Sequence, residues 1–226
     1  ILSQPDELKG AAFVHDGSMA REQGVDTHTL YIQPGCSPDS GARLTGEVAV
    51  SQRVYESFVY AAYLDVPAQS RQAVEQTIWQ LDEEIFSALS GDGSPAYIQD
   101  YLQAAQTHDG TWTGENAFYL ALARLVGDYL GDIARYDPDT PAVPEGEDFV
   151  PYFLTQSRQG YCMHFASAAV LILRQLGVPA RYVSGYVADI PASGRADVPD
   201  SNAHAWVEIY LSGYGWEPVE VTPAYG

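Results

Sequence analysis

One side chain in this sequence is of the right type for nucleophilic chemistry and stands where it could be activated. Cys162, in "QGYCMHFASAAVLILRQLGVPARYVSGY" (159–186), is one of only two cysteines. It follows a glycine and an aromatic residue and opens a long apolar run. A thiol attacks as the thiolate, a form favoured by the positive end of a helix dipole and by a nearby imidazole. A small cysteine packed against a sheet fits the same position, so the choice depends on whether a base exists.

Of the histidines, His164 lies two residues on, roughly 200° around a helix. It does not share a face with Cys162 and reads as a packing or hydrogen-bonding residue. His15, His28 and His108 sit in polar, turn-like surroundings. His204 is different. In "AHAWVEIYL" (203–211) a period of two puts His204, Trp206 and Glu208 on one face and Ala205, Val207 and Ile209 on the other. The apolar set faces a core, so His204 faces something else and is a candidate base. A base needs a third group to accept its other N–H. The next strand, "GWEPVEVTP" (215–223), offers Glu217 and Glu220. Glu220 alternates with Val219 and Val221 and points away from their face, whereas Glu217 also reads as a solvated carboxylate. Spacing alone leaves both open.

The elements needed to position these residues are legible around them. Residues 1–50 alternate weakly, with "THTLYIQ" and "ARLTGEVAVSQ" as strands around a turn at 34–41. "QRVYESFVYAAYLDVP" turns helical, with Val54, Phe58, Ala61 and Ala62 as its stripe and Pro67 as its stop. "RQAVEQTIWQLDEEIFSAL" sets Val74, Ile78, Leu81, Ile85 and Leu89 on one face. "AYIQDYLQAA" and "ENAFYLALARLVGDYLGDI" predict a short and a longer helix, and the Pro- and acid-rich "YDPDTPAVPEGEDF" a surface connection. "FVPYFLTQSRQG" reads as a short helical piece ending at Gly160. From Cys162 to Leu176 the pattern is a helix apolar on nearly all faces, closed by Gly177 and Pro179, as expected of the buried axis of a domain. Three strand candidates follow: "ARYVSGYVADI", "AHAWVEIYL" and "GWEPVEVTP", the first two separated by the polar loop "PASGRADVPDSN". Helices, one central helix, then an antiparallel sheet make an α+β fold.

Bulk composition narrows the function. The 226 residues are 46% hydrophobic and 18% charged, which suits one good-sized globular domain, or a domain with an appended piece. Eleven basic against 30 acidic residues give a formal net charge of −19. Nucleic-acid binding requires basic surface and docking on anionic lipid does too, so neither is expected. No apolar run reaches the roughly 18 residues of a membrane span. The opening at Ile1, without a starting Met, suggests part of a larger protein. Cys36, in the turn-rich "QPGCSPDSG", is expected to carry no chemistry, whether as a disulfide or as a lipid anchor. Oxygen-rich segments such as "DPDTPAVPEGED" lack an ordered ligand spacing, so no metal is expected.

The blocks "GYCMHFASA", "LRQLGVPARYVSGY", "NAHAWVEIYL" and "YGWEPVEVTP", in this order, resemble the transglutaminase-like (transglutaminase core) superfamily. That pattern has a Gly-x-Cys opening a helix, a strand after "lGiPaR", a His-Ala-Trp-x-Glu strand and a Trp-x-x-x-Asp-x-Thr strand. The resemblance runs from about Asp148 to Pro223, and "YESFVYAAYLDVP" is similar to the lead-in of bacterial membrane-anchored members. It implies a papain-like, transglutaminase-like core: a central helix carrying the Cys packed on an antiparallel sheet, with additional helices N-terminal. The implied domain covers 51–226, with core motifs at 148–223, after a β-rich segment at 1–50. By position, Cys162 matches the nucleophile, His204 the general base and acid, and Glu220 the family's aspartate. Glutamate at that position is a departure, because its extra methylene demands a different backbone distance.

The implied activity is acyl transfer on peptide or protein amides through a Cys162 thioester. Water as acceptor makes a peptidase or deamidase, and an amine gives transamidation. The oxyanion needs preorganised donors; the Cys162 N–H is one candidate and Gln156, six residues upstream, is another. Tyr161, Tyr186 and Trp206 are candidate lining of a groove for an extended peptide. No cofactor is implied. The expected partner is a peptide or protein substrate, with membrane contact only through segments outside this chain, on the extracellular side of a bacterial membrane. The alternative is a non-catalytic interaction module that retains the fold.

Overall fold

The structure, a computed structural model, describes residues 2–3, 12–22, 25–33, 47–90, 114–189 and 198–223. The strands are β1 (Leu2–Ser3), β2 (Ala12–Glu22), β3 (Val25–Gln33), β4 (Arg135–Tyr136), β5 (Gln159–Gly160), β6 (Ala180–Tyr186), β7 (Ala188–Asp189), β8 (Ala203–Leu211) and β9 (Gly215–Val219). The helices are α1 (Glu47–Ala62), α2 (Ala68–Ser90), α3 (Gly114–Ile133), α4 (Phe149–Tyr152), which runs on into a π-helical turn at Phe153–Ser157, and α5 (Cys162–Gln175). The predicted helix "AYIQDYLQAA", the turn at 34–41 with Cys36, and most of the loop 191–202 lie outside the described residues.

Helix α5 is the axis, as its all-round apolar pattern requires. Phe165, Ala166, Ala168, Ala169, Ile172 and Leu173 are fully buried. They pack among Val74 and Leu81 of α2, Leu120 and Val126 of α3, and Ala205, Val207 and Ile209 of β8. The helix ends as Gly177 predicts: the Gly177 N–H donates to the Arg174 carbonyl and the Val178 N–H to the Leu173 carbonyl, the paired bonds of a Schellman cap. Arg174 Nε then donates to the Ala180 carbonyl across the return. The three-stranded sheet has the order β6-β8-β9, antiparallel throughout. Helices N-terminal to the axis and an antiparallel sheet beside it make the expected α+β fold.

Three predicted details change. The strand "ARLTGEVAVSQ" is helical from Glu47 onward, so the segment boundary drawn at residue 50 falls inside α1. Extending an established helix adds one hydrogen bond per residue fixed, which outweighs the local Val48/Val50 alternation. The stripe Val54, Phe58, Ala61 and Ala62 is exposed, Val54 by 66% and Phe58 by 55%. The docking face is one position further round. Val59 is fully buried, Tyr55 stacks edge-on to Tyr210 at 5.9 Å and Tyr63 on Trp216 at 4.8 Å, and the Trp216 indole N–H donates to the Tyr55 hydroxyl. Tyrosine supplies apolar area and a polar end together, so it holds a half-exposed interface better than Val or Phe. The "FVPYFLTQSRQG" segment also differs at its end: helix stops at Ser157, Arg158 turns with φ 46°, and Gln159–Gly160 is a strand.

The β8–β9 hairpin is pinned from two helices. Asn116 of α3 donates through Nδ2 to the Ser212 carbonyl and accepts from the Ser212 N–H. Glu56 of α1 accepts from the Ser212 hydroxyl and the Gly213 N–H. Beyond the hairpin the chain closes onto α3, where a side chain starting at Gly127 would lie 3.3 Å from the Val221 Cα. The segment carrying Glu220 is thereby held against a helix.

Candidate active site

The short return at 176–179 reverses the chain from α5 into β6. Since β8 is antiparallel to β6, α5 and β8 run in broadly the same direction. Cys162, the first residue of α5, and His204, the second of β8, therefore come to the same end of the domain. Cys162 is half-buried at the edge of the core, and its backbone N–H is among the orphan donors of a helix start.

His204 is 4% exposed. Its Nε2 lies 2.6 Å from Glu220 Oε2, the orienting contact expected of a base and its carboxylate. The other glutamate oxygen, Oε1, accepts from the backbone N–H groups of Val221 at 3.0 Å and Thr222 at 2.8 Å. Glu220 stands just past the end of β9, and its extra methylene is absorbed by folding back on its own chain. Burial alone would raise its pKa, but the bonds from His204 and Thr222 outweigh it and hold the carboxyl below the ordinary range. Glu217 is exposed.

Trp206 stands beside His204, its ring tilted only 18° from the imidazole at 6.4 Å. Register pairs His204 with Gly185 and Trp206 with Val183, so the indole lies over Gly185. Among the described residues its buried Nε1–H has no hydrogen-bond partner. A Cβ at Gly185 would come 2.8 Å from Trp206 Cη2. Gly185→Ala is expected to displace the indole, changing the near-UV circular dichroism and lowering Tm by several degrees, from about 1–3 kcal/mol of overpacking. Unchanged spectrum and Tm would mean that Trp206 has room to move.

Tyr161 immediately precedes α5 in extended backbone and is half-buried. Tyr186, at the end of β6, is exposed. Gln156 is not drawn into this cluster: it is exposed in the π-helical turn, and its amide donates to Glu147 Oε2 at 3.4 Å. Sequence reasoning missed Tyr182. It is partly exposed, and burial first, then the charges of Cys162 and Tyr161, hold its phenol pKa up. Its signal was present, since it precedes Tyr186 by four and so shares its face of β6. Met163, beside Cys162 on α5, is exposed as well.

Residues 104–221 match the family described as the Transglutaminase-like superfamily, a wider span than the motifs from Asp148 onward. The chain is 38% identical over 110 residues to the uncharacterised protein YebA of Bacillus subtilis, covering 45% of this chain and 15% of that protein. It is 42% identical over 79 residues to a protein-glutamine gamma-glutamyltransferase of Pseudomonas aeruginosa, covering 34% and 12%. It thus spans a small part of the length of these relatives. The crystal structure of the periplasmic domain of TgpA from Pseudomonas aeruginosa is similar at 30% identity over 67% of this chain and 48% of that one, with a TM-score of 0.39. With more than half of its length matched and the helix–sheet core in place, the chain belongs to the transglutaminase-like superfamily.

Proposed function

We propose that this domain is a cysteine enzyme transferring the acyl group of a protein glutamine. Cys162 attacks the side-chain amide, ammonia leaves, and a thioester passes the acyl group to an amine or to water. The observation that carries this reading is the buried His204–Glu220 contact at 2.6 Å. With Nε2 engaged by the carboxylate, Nδ1 is the nitrogen through which His204 exchanges a proton with Cys162. The proton taken from the thiol goes to the departing ammonia, and the same nitrogen then deprotonates the incoming amine or water. Glu220 stabilises the imidazolium between these steps.

The Cys162 N–H is assigned to the oxyanion, and the buried Trp206 indole N–H to the substrate. Tyr161, Tyr182 and Tyr186 line the approach of an extended peptide. Glutamine as acyl donor is supported by the name of the Pseudomonas relative. Glutamate in place of the family's aspartate is the one feature pointing to a non-catalytic module, and the contact that Glu220 makes favours catalysis over it. Among the described residues no helix is long and apolar enough to cross a membrane. A position outside the cytoplasm, on a membrane-anchored protein, is part of this proposal.

The test is ammonia release from a glutamine dipeptide and from dimethylated casein, with and without a primary amine, products being identified by mass. Release with amine incorporation is expected, and a gain of about one mass unit where water is the acceptor. No release from either substrate by folded protein would overturn the reading.

A further inference from the structure

The peptide between Gly160 and Tyr161, directly before the nucleophile's helix, is held at both ends. Its carbonyl, on Gly160, accepts from the Asp137 N–H at 2.7 Å, where β5 lies against β4. Its N–H, on Tyr161, donates to Nδ1 of His164 at 3.2 Å. A backbone N–H can only donate, so His164 Nδ1 must carry its lone pair and the ring proton must sit on Nε2. The ring is 5% exposed and enclosed by Phe149 at 4.5 Å, Tyr161 at 4.7 Å and Phe153 at 5.5 Å. Burial lowers its pKa, favouring the neutral ring. The fit against the chain is close: a Cβ on Gly160 would fall 2.4 Å from the His164 Cγ.

His164 takes no part in the chemistry assigned to Cys162 and His204, and packing alone would not require a nitrogen there. We propose that His164 is a positioning residue: by clamping the Gly160–Tyr161 peptide it sets the direction in which Cys162 presents its backbone N–H and Sγ. The proposal rests on Cys162 being the activated nucleophile. Gly160 is its counterpart, the residue whose missing side chain lets the imidazole reach the peptide.

Two substitutions separate the clamp from packing. His164→Asn keeps an acceptor near the position of Nδ1 but removes most of the ring. His164→Phe keeps the ring and removes the acceptor. The probe is iodoacetamide alkylation of Cys162 at about pH 6 in a Cys36→Ser background, with thermal unfolding of each variant. The clamp requires His164→Phe to lose about tenfold or more in alkylation rate and His164→Asn to stay within about threefold of the parent, although Asn, which leaves a cavity, has the lower Tm. A rate retained in Phe, or lost in Asn, would overturn the clamp; if His164→Phe does not fold, the Asn arm still decides. The parent and a His204→Ala control report separately on the nucleophile: if alkylation of the parent is slow and indifferent to His204, the catalytic reading fails and takes the clamp with it.

Discussion

Replacing His204 with alanine is expected to slow alkylation of Cys162 by iodoacetamide about tenfold at pH ~6, and Cys162→Ala to abolish acyl transfer. The magnitude follows from two opposing effects. An ordinary free thiol is only about 0.3% thiolate at that pH, so a partner that keeps the proton raises the reactive share by a factor of hundreds at most. A more stable thiolate is also a weaker nucleophile, with a Brønsted coefficient of about 0.4–0.5, which removes most of that gain. In turnover the loss should be larger, because in the proposed mechanism His204 also protonates the leaving ammonia and deprotonates the acceptor. Losses of about 10⁴-fold or more are usual when one member of a catalytic unit is removed. Equal alkylation rates with and without His204 would show that Cys162 is an ordinary thiol and would sink the enzyme reading.

Glu220→Gln is expected to lower turnover about 10²- to 10⁴-fold while leaving the fold intact, since an amide in place of a triad carboxylate keeps the shape and loses the charge. The carboxylate accepts the Nε2 proton of His204 and, in the proposed mechanism, stabilises the imidazolium; an amide can turn its donor toward the ring and favour the wrong tautomer. The same substitution has a signature in stability. Because the folded pKa of Glu220 is depressed, its contribution is present above the ordinary carboxylate range and is lost as pH falls through the depressed value. Urea unfolding should therefore separate wild type from Glu220→Gln at pH ~7, with the gap narrowing as pH falls below the ordinary carboxylate range. A gap that persists unchanged in acid would mean that the variant perturbs packing rather than a charged contact. Glu220→Asp serves as a geometric control: it retains the charge, but the side chain cannot both reach His204 and fold back onto the Val221 and Thr222 N–H groups.

Much of this site could be read before any tertiary contact was known, for reasons visible in particular residues. The helix from Cys162 announces itself because its hydrogen bonds are local and its apolar residues fill every face. His204 separates from its neighbours because a strand alternates with period two, so the apolar partners Ala205, Val207 and Ile209 assign its direction. Other features had no such local signal. In α1 both Val54–Phe58 and Tyr55–Val59, the latter continued by Tyr63 just past the helix end, are apolar arcs at helical spacing, and periodicity cannot say which one docks. The choice is made by Trp216, whose indole meets Tyr55 across 161 residues of chain.

The sequence by itself determined the α+β order, the helix that begins at Cys162 and the face on which His204 stands, since each depends on hydrogen bonds or alternation within one element. Only the tertiary structure decided that Glu220 reaches His204, that its longer side chain is accommodated by its own backbone, that Tyr182 joins Tyr161 beside Cys162, and that His164 grips the peptide before it. These contacts depend on where separate elements end relative to one another, and that is decided by packing over the whole core rather than by any local period.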